Sequence, residues 1–315
     1  MQYNQEYAHI RGFNVHGDWC SNGLMEWLFF DPERYKMMIQ KGKEKFPGMN
    51  TVRIWLSMDA YLAKKEVYLN AVRQAGEILT DAGLQIIPVY FNGWFGVPYF
   101  GGFVNECLSP NFMPAFKNFI QDSVKALAEA NVLMHDVSNE PYNVTNESQR
   151  SFDGVTNFLI DMIKAVKQVD SRKVTVGTQS YPNPDKRNIC DIDRLAPYVD
   201  VISIHPYNIR GQSLEEFDKK FKSVLDYIEV FQKPYIITEC IWGASTAEKR
   251  KLYLETEFET YSKYNVGYLA HALFTSPVAD LWPVERYGFT DGLYMAFLDE
   301  EFEIRPYHDI FNDYA

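Results

Sequence analysis

The chain has 315 residues, with 31 lysines and arginines against 42 aspartates and glutamates, a net charge of −11 and 46% hydrophobic residues. This is the composition of an ordinary soluble globular protein, and its acidic balance argues against nucleic-acid or anionic-membrane partners, which need a basic patch to meet phosphates. No apolar run approaches the ~20 residues that span a bilayer.

The length fits two average domains or one α/β barrel of about 250 residues with insertions. The N-terminus, Met1-Gln2-Tyr3-Asn4-Gln5-Glu6, lacks the basic start and apolar stretch of a signal peptide. The expectation is a cytoplasmic protein, or a secreted one whose leader is not part of this sequence. Short β-rich runs then alternate with amphipathic segments. The predicted strands are Arg11–His16, Thr51–Leu56, Leu84–Phe91, Val132–Ser138, Lys173–Thr178, Asp200–His205, Pro234–Thr238 and Gly267–Phe274. Runs such as Gln85-Ile86-Ile87-Pro88-Val89-Tyr90-Phe91 suit parallel strands buried on both faces.

Between them, helices are predicted near Pro32–Phe46, Lys65–Asp81, Pro110–Ala130, Gln149–Val169, Ser213–Phe231 and Thr246–Tyr264. A short one at Ile189–Leu195 and a last one near Arg305–Phe311 complete the set. Asp31-Pro32 reads as an N-cap with proline at the first helical position. Gly83 stands where a left-handed residue ends a helix, Ser109-Pro110 reads as another start, and Ser213–Glu216 has capping-box spacing. Strand–helix alternation without a low-complexity linker predicts a single (β/α)8 TIM barrel domain over 1–315. Cys20, Cys107, Cys190 and Cys240 are scattered without CxxC spacing, so free thiols are expected.

Active sites of such barrels lie at the C-terminal strand ends. Strand four leaves Asn139 and Glu140 there and strand seven leaves Glu239, on opposite sides of the mouth. Either glutamate alone would serve as a helix cap. Two converging carboxylates are what retaining glycoside hydrolysis needs, one to protonate the leaving oxygen and one to attack the anomeric carbon.

Asn139-Glu140-Pro141 together with Glu239 resembles the clan A glycoside hydrolases, and is most similar to glycoside hydrolase family 5, the cellulase and mannanase family. The resemblance implies Glu140 as general acid/base, Glu239 as nucleophile and Asn139 as a donor to the sugar 2-hydroxyl. Arg53 in Thr51-Val52-Arg53-Ile54-Trp55 matches the family's strand-two arginine. His205 and Tyr207 match its strand-six His-x-Tyr. An arginine and a phenol beside the nucleophile favour its charged form. The sequence departs from the family at two strand ends. Strand three ends Tyr90-Phe91-Asn92-Gly93-Trp94, where many members carry a histidine, and strand eight, Leu269–Phe274, lacks the tryptophan that usually floors the −1 subsite. Trp282 and Phe274 are the candidate substitutes.

Aromatics reach 16%, with 21 Tyr, 22 Phe and 6 Trp, more than a core demands, and sugar rings stack on aromatic faces. Trp19, Trp94, Trp242 and Trp282 are the candidate subsite residues in the mouth loops, with Asn92 as a further substrate contact. The sequons at Asn143 and Asn146 read as accidental.

Three rivals stand beside the hydrolase. A metal-dependent barrel would use His16, His205 and His271, but neither His-x-His on strand one nor HExxH is present. A non-catalytic sugar-binding barrel need not keep both carboxylates. A phosphate-handling barrel wants a glycine-rich loop after strand seven or eight, and Ile241-Trp242-Gly243-Ala244-Ser245 is a poor one. The sequence therefore predicts a monomeric retaining β-glycosidase, endo-acting on a β-linked glucan or mannan, with no cofactor and no metal; exo-action on short oligosaccharides is the alternative.

Overall fold

A computed structural model of the chain describes residues 3–20, 22–93, 111–142, 152–178, 189–208, 211–244, 246–276 and 295–315. Eight parallel strands close into a barrel in chain order, the eighth pairing back on the first. They are β1 (Arg11–Val15), β2 (Thr51–Trp55), β3 (Gln85–Asn92), β4 (Met134–Asn139), β5 (Lys173–Thr178), β6 (Ile202–Ile204), β7 (Tyr235–Cys240) and β8 (Tyr268–Ala270). The (β/α)8 barrel expected from the alternation is thus the fold.

Helices α1 (Gly23–Leu28) and α2 (Pro32–Lys45) follow β1, and α3 (Met58–Ala63) and α4 (Lys65–Asp81) follow β2. Then α5 (Met113–Ala126), α6 (Phe152–Lys167), α7 (Ile189–Leu195), α8 (Leu214–Ile228) and α9 (Ala247–Tyr264) follow β3 to β7 in turn. A 3-10 turn at His308–Ile310 leads into α10 (Phe311–Tyr314). The caps act as their residue types dictate. Asp31 accepts from Arg34 N at 3.0 Å, Gly83 takes φ +73° after α4, and Ser213 and Glu216 close a capping box on α8.

Helices α1 and α3 are not in the predicted set. Each has six residues, too few to display a 3.6-residue period, and Asn22 and Ser57 start them with side-chain caps. Strand β8 is shorter than predicted: beyond Ala270 the chain leaves the ladder, with Ala272 N turning to Met295 O and Leu273 N to Asn14 O. The Ser109-Pro110 start and the two sequons lie outside the described residues.

Burial of apolar faces between sheet and helices drives the assembly. Phe13, Val52, Ile54, Phe91 and Val137 on the strands join one cluster with Met38, Ile39, Phe119, Phe158 and Phe258 on the helices. A second cluster, Tyr7, Ile10, Ile87, Met134, Val201, Ile236 and Leu269, fills the barrel at the N-terminal ends of its strands. Toward the C-terminal ends the buried side chains turn polar: Asn14, Arg53, Asp136, Ser203 and Thr238. Cys20 and Cys240 are buried and unbridged. Among the described residues no helix is long and apolar enough to cross a membrane.

Candidate active site

Arg53 on β2 is fully buried, so its charge requires partners. Its Nε and Nη2 donate to Asp136 Oδ2 at 3.0 and 2.8 Å. Nη1 donates to Asn14 Oδ1 at 2.9 Å and faces Glu239 Oε2 at 3.5 Å. Nη2 also reaches Asn139 Oδ1 at 2.9 Å. The guanidinium lies 4.7 Å from the centre of the Trp55 ring. One cation thereby ties β1, β2, β4 and β7 together beneath the mouth. Asp136 completes its valence by accepting Gly177 N at 3.0 Å.

Glu140, at the end of β4, has φ +43°, a left-handed conformation that costs a non-glycine residue of order 1–3 kcal/mol and persists only where the surroundings over-determine it. Here they do. Glu140 N donates to Gly177 O at 2.8 Å and Gly93 N donates to Asn139 O at 2.7 Å. A β-carbon on Gly93 would lie 2.3 Å from Pro141 Cα and 2.4 Å from Glu140 O. Only glycine lets the chain after β3 pass so close beneath this turn.

His205, just beyond β6, joins the two glutamates. Its Nδ1 stands 2.8 Å from Glu140 Oε1 and 3.2 Å from Glu239 Oε2. Its Nε2 is 3.0 Å from Thr238 Oγ1, which is itself hydrogen-bonded to Ser203 Oγ. Burial, then Arg53, pulls the imidazole down to about 4 against the opposing charge of Glu239. It is therefore neutral at pH 7, and the two carboxylates assign its proton to Nδ1 while Nε2 accepts from Thr238. Tyr207 is pushed well above the usual phenol range, by burial first and then by the charges of Glu239 and Glu140, and hydrogen-bonds Glu239. Trp242, half-buried after β7, meets the Tyr207 ring edge-on with centroids 5.2 Å apart.

Across from His205, His271 follows β8 with its Nδ1 3.4 Å from Glu239 Oε1. That nitrogen is buried and has no hydrogen-bond partner among the described residues. His271 meets His16 edge-on at 6.2 Å, and His16 stacks on Trp55 at 5.6 Å. Glu26 on α1 sets His16 from behind, 3.7 Å from its Nδ1, and accepts Gly17 N at 2.9 Å. Burial, reinforced by the neighbouring His16 ring and the guanidinium groups of Arg53 and Arg250, holds His271 well below the usual imidazole range.

This pairing of Glu140 and Glu239 at the ends of β4 and β7 coincides with a sequence match. Residues 2–277 match the profile of the cellulase family, glycosyl hydrolase family 5. The chain belongs to glycoside hydrolase family 5. Its fold is similar to that of GH5_18 from Streptomyces cattleya, solved in complex with GlcNAc, with a TM-score of 0.73 and 12% identity over 96% of this chain and 79% of that one. It is also similar to the endo-1,4-β-D-mannanase of Thermotoga petrophila, with a TM-score of 0.67 and 12% identity over 97% and 98% of the two chains. The endo-β-1,4-glucanase Xac0029 of Xanthomonas axonopodis pv. citri gives 0.60 and 16% over 90% and 89%. No curated protein sequence matches this one.

In this family 5 hydrolase, Arg53, Asn139, Glu140, His205, Tyr207 and Glu239 converge within one hydrogen-bonded cluster, and Asn92 joins it by accepting Asn139 Nδ2 at 3.1 Å. Trp242 stands beside Tyr207. Trp19 packs edge-on against Phe30 and Tyr35, with centroids 6.1 and 6.3 Å apart. Trp94 and Trp282 lie outside the described residues. Phe274 is not the substitute for the missing tryptophan: it is buried in the sheet–helix core against Phe302, because the chain has left the strand's alternation by that point. Beyond β8, His271 is the described side chain that faces Glu239.

Sequence reasoning missed Asn14, Asp136 and Trp55 as parts of the site. The signal for Asp136 was a charge inside an apolar strand, which demands a buried partner. Oxygens of Glu140 and Glu239 and a nitrogen of His205 all lie within 4.8 Å of one another, a spacing that would admit a cation. A cation there would have to displace the proton on His205 Nδ1 beside the guanidinium of Arg53, so the donor set fits a proton better than a metal.

Proposed function

We propose that this enzyme is a retaining β-glycosidase that cleaves within β-linked polysaccharides of the glucan or mannan kind by double displacement. The observation that carries the reading is that an oxygen of Glu140 and an oxygen of Glu239 lie within 4.8 Å of each other, both against His205 Nδ1. Retaining enzymes hold their carboxyl groups roughly 5–5.5 Å apart, whereas inverting ones leave about 6.5–9.5 Å for a water. The mannanase and glucanase names among the similar folds support the polymer class.

Glu239 is the nucleophile. Arg53 and His205 face its Oε2, which leaves Oε1 to attack the anomeric carbon. Glu140 gives its proton to the glycosidic oxygen as that bond breaks and the C1–Oε1 bond forms. It then takes a proton from water, which attacks C1 and frees Glu239. Two carboxylates this close cannot both stay charged at low cost, and the guanidinium beside Glu239 makes Glu239 the ionised partner. Asn139 spends one amide hydrogen on Asn92 and keeps the second for the sugar 2-hydroxyl. Tyr207 and Trp242 wall the site next to the nucleophile. These side chains complete the chemistry without a cofactor.

The test is product release from soluble β-1,4-glucan, β-1,3-glucan, mixed-linkage glucan, xylan and β-mannan, with Glu239→Ala run in parallel and the first-formed anomer read by NMR. Hydrolysis of one polymer by the native enzyme alone, with retained configuration, is expected. Inversion would remove the double displacement. Cleavage of short oligosaccharides only would make the enzyme exo-acting, and binding without cleavage would make it a sugar-binding barrel.

A further inference from the structure

Behind the barrel, Glu257 on α9 is a fully buried carboxylate that the chemistry above does not use. Its Oε1 accepts Asn208 N at 2.9 Å and its Oε2 accepts Ile241 N at 2.8 Å. Asn208 directly follows Tyr207, and Ile241 lies two residues after Glu239. Ile241 has φ +66°, a rare conformation for a β-branched residue. The same helix grips the turn from its other side, since Arg250 donates to the carbonyls of Ile241 and Trp242 and to Met295 O. One helix thus fixes the backbone turns after β6 and β7 together.

A second feature concerns a proton. Tyr261 Oη lies 2.7 Å from Glu257 Oε2 and 2.9 Å from Pro206 O, and one hydroxyl hydrogen cannot serve both acceptors. The set is complete when Glu257 is neutral: its proton goes to Tyr261 Oη, and the Tyr261 proton goes to Pro206, between His205 and Tyr207. When Glu257 gives its proton to solvent, Tyr261 turns its hydrogen to the carboxylate and Pro206 O loses that donor.

We propose that Glu257 is a positioning residue: from α9 it sets the turns that carry Tyr207 and Glu239 to the mouth, sharing one proton with Tyr261. The proposal rests on the roles given to those two residues above. Burial raises this carboxyl to about 7, against the bonds from Asn208, Tyr261 and Ile241 and the charge of Arg250, so the proton moves in the working range of pH. The titratable and charged groups that face Glu257 are Arg250 and Tyr261 on α9 and Cys240 on β7. His308 lies behind Arg250, 3.1 Å from its Nε.

The experiment compares the native enzyme with Glu257→Gln and Tyr261→Phe, reading kcat and KM on the cleaved polymer from pH 5 to 9, thermal melting, and tryptophan fluorescence against pH. Trp242→Phe assigns the fluorescence signal. Expected is a fluorescence change centred near pH 7 that Glu257→Gln and Trp242→Phe both abolish. Expected too is a loss of at least about tenfold in kcat in Glu257→Gln, with KM within roughly threefold, since misplacement of reacting groups acts on turnover. A native fluorescence titration in Glu257→Gln, or a lower melting temperature with an unchanged pH profile of kcat, overturns the proposal. Should Glu257→Gln fail to fold, Tyr261→Phe decides: a displaced fluorescence midpoint supports the shared proton, an unmoved one overturns it. If the native enzyme cuts none of the polymers, the hydrolase reading fails by itself and the fluorescence titration still decides on Glu257.

Discussion

Gly177 on β5 lies directly against His205: a β-carbon at that position would stand 2.9 Å from His205 Nε2 and 3.1 Å from Arg53 Nη2. Neither neighbour can give way, because both are buried and hydrogen-bonded inside the barrel. Gly177→Ala should displace the imidazole that joins Glu140 to Glu239. We expect kcat/KM to fall at least about tenfold with the fold retained by circular dichroism. Native kinetics in this variant would show that the placement of His205 is loose.

Glu140→Ala and Glu239→Ala should each lose at least ~10³-fold in turnover, the scale of removing a chemical participant. The two are separable by the leaving group. An activated aryl glycoside needs little acid assistance, so Glu140→Ala should recover part of its first step on such a substrate and Glu239→Ala none. Near-native turnover on the polymer in either variant removes that residue from its role.

Asp136→Asn should destabilise the fold rather than merely slow it. Asp136 neutralises Arg53 with both side chains fully buried, and removing one partner of a buried pair leaves an uncompensated charge costing about 3–5 kcal/mol. Urea unfolding of this variant at pH 7 reads the loss directly. An unchanged midpoint would mean that Glu239 and water carry the guanidinium unaided.

The pH dependence of stability carries two opposing slopes. His205 is held down to about 4 by burial, below its unfolded value of roughly 6.5. Its contribution is therefore full above pH 6.5 and lost as pH falls toward 4, where the unfolded chain binds the extra proton. Glu257, raised to about 7 by burial, acts in the other sense: its contribution is full below its unfolded value of about 4.3 and lost as pH rises through 7. Denaturant unfolding from pH 4 to 8 should show a flatter acid side in His205→Asn and a flatter neutral side in Glu257→Gln. Parallel curves for all three proteins would contradict both assignments.

His271→Phe tests whether the imidazole beside Glu239 acts through its polar edge. The substitution keeps a flat ring but removes the buried Nδ1 that faces Glu239 Oε1. The expectation is that this nitrogen, without a hydrogen-bond partner among the described residues, bonds the bound substrate; such a bond is worth about 0.5–1.5 kcal/mol, so kcat/KM should fall by up to roughly tenfold. An equal or higher value would show that ring contact alone suffices.

Much of the site was legible because its residues stand at fixed positions on strands. Counting along two apolar runs puts Glu140 and Glu239 at strand ends, and a barrel has only one mouth. What the sequence withheld depends on long-range contact or on a break in regularity. Arg53 and Asp136 are 83 residues apart, so the demand for a partner was visible but its identity was not. Phe274 read as the end of strand eight because the run looked unbroken to that point, whereas the strand ends at Ala270. Trp19 had the chemistry of a sugar platform, yet its ring packs edge-on against Phe30 and against Tyr35 of α2, which the sequence alone does not bring together. Helices α1 and α3 are capped turns too short to leave a period.

Gly93 carries a constraint of its own. Its backbone runs so close under the Glu140 turn that a β-carbon would press on Glu140 O and Pro141 Cα. A substitution at Gly93 would therefore displace the Glu140 carboxylate through the backbone alone, leaving every side chain around that carboxylate unchanged.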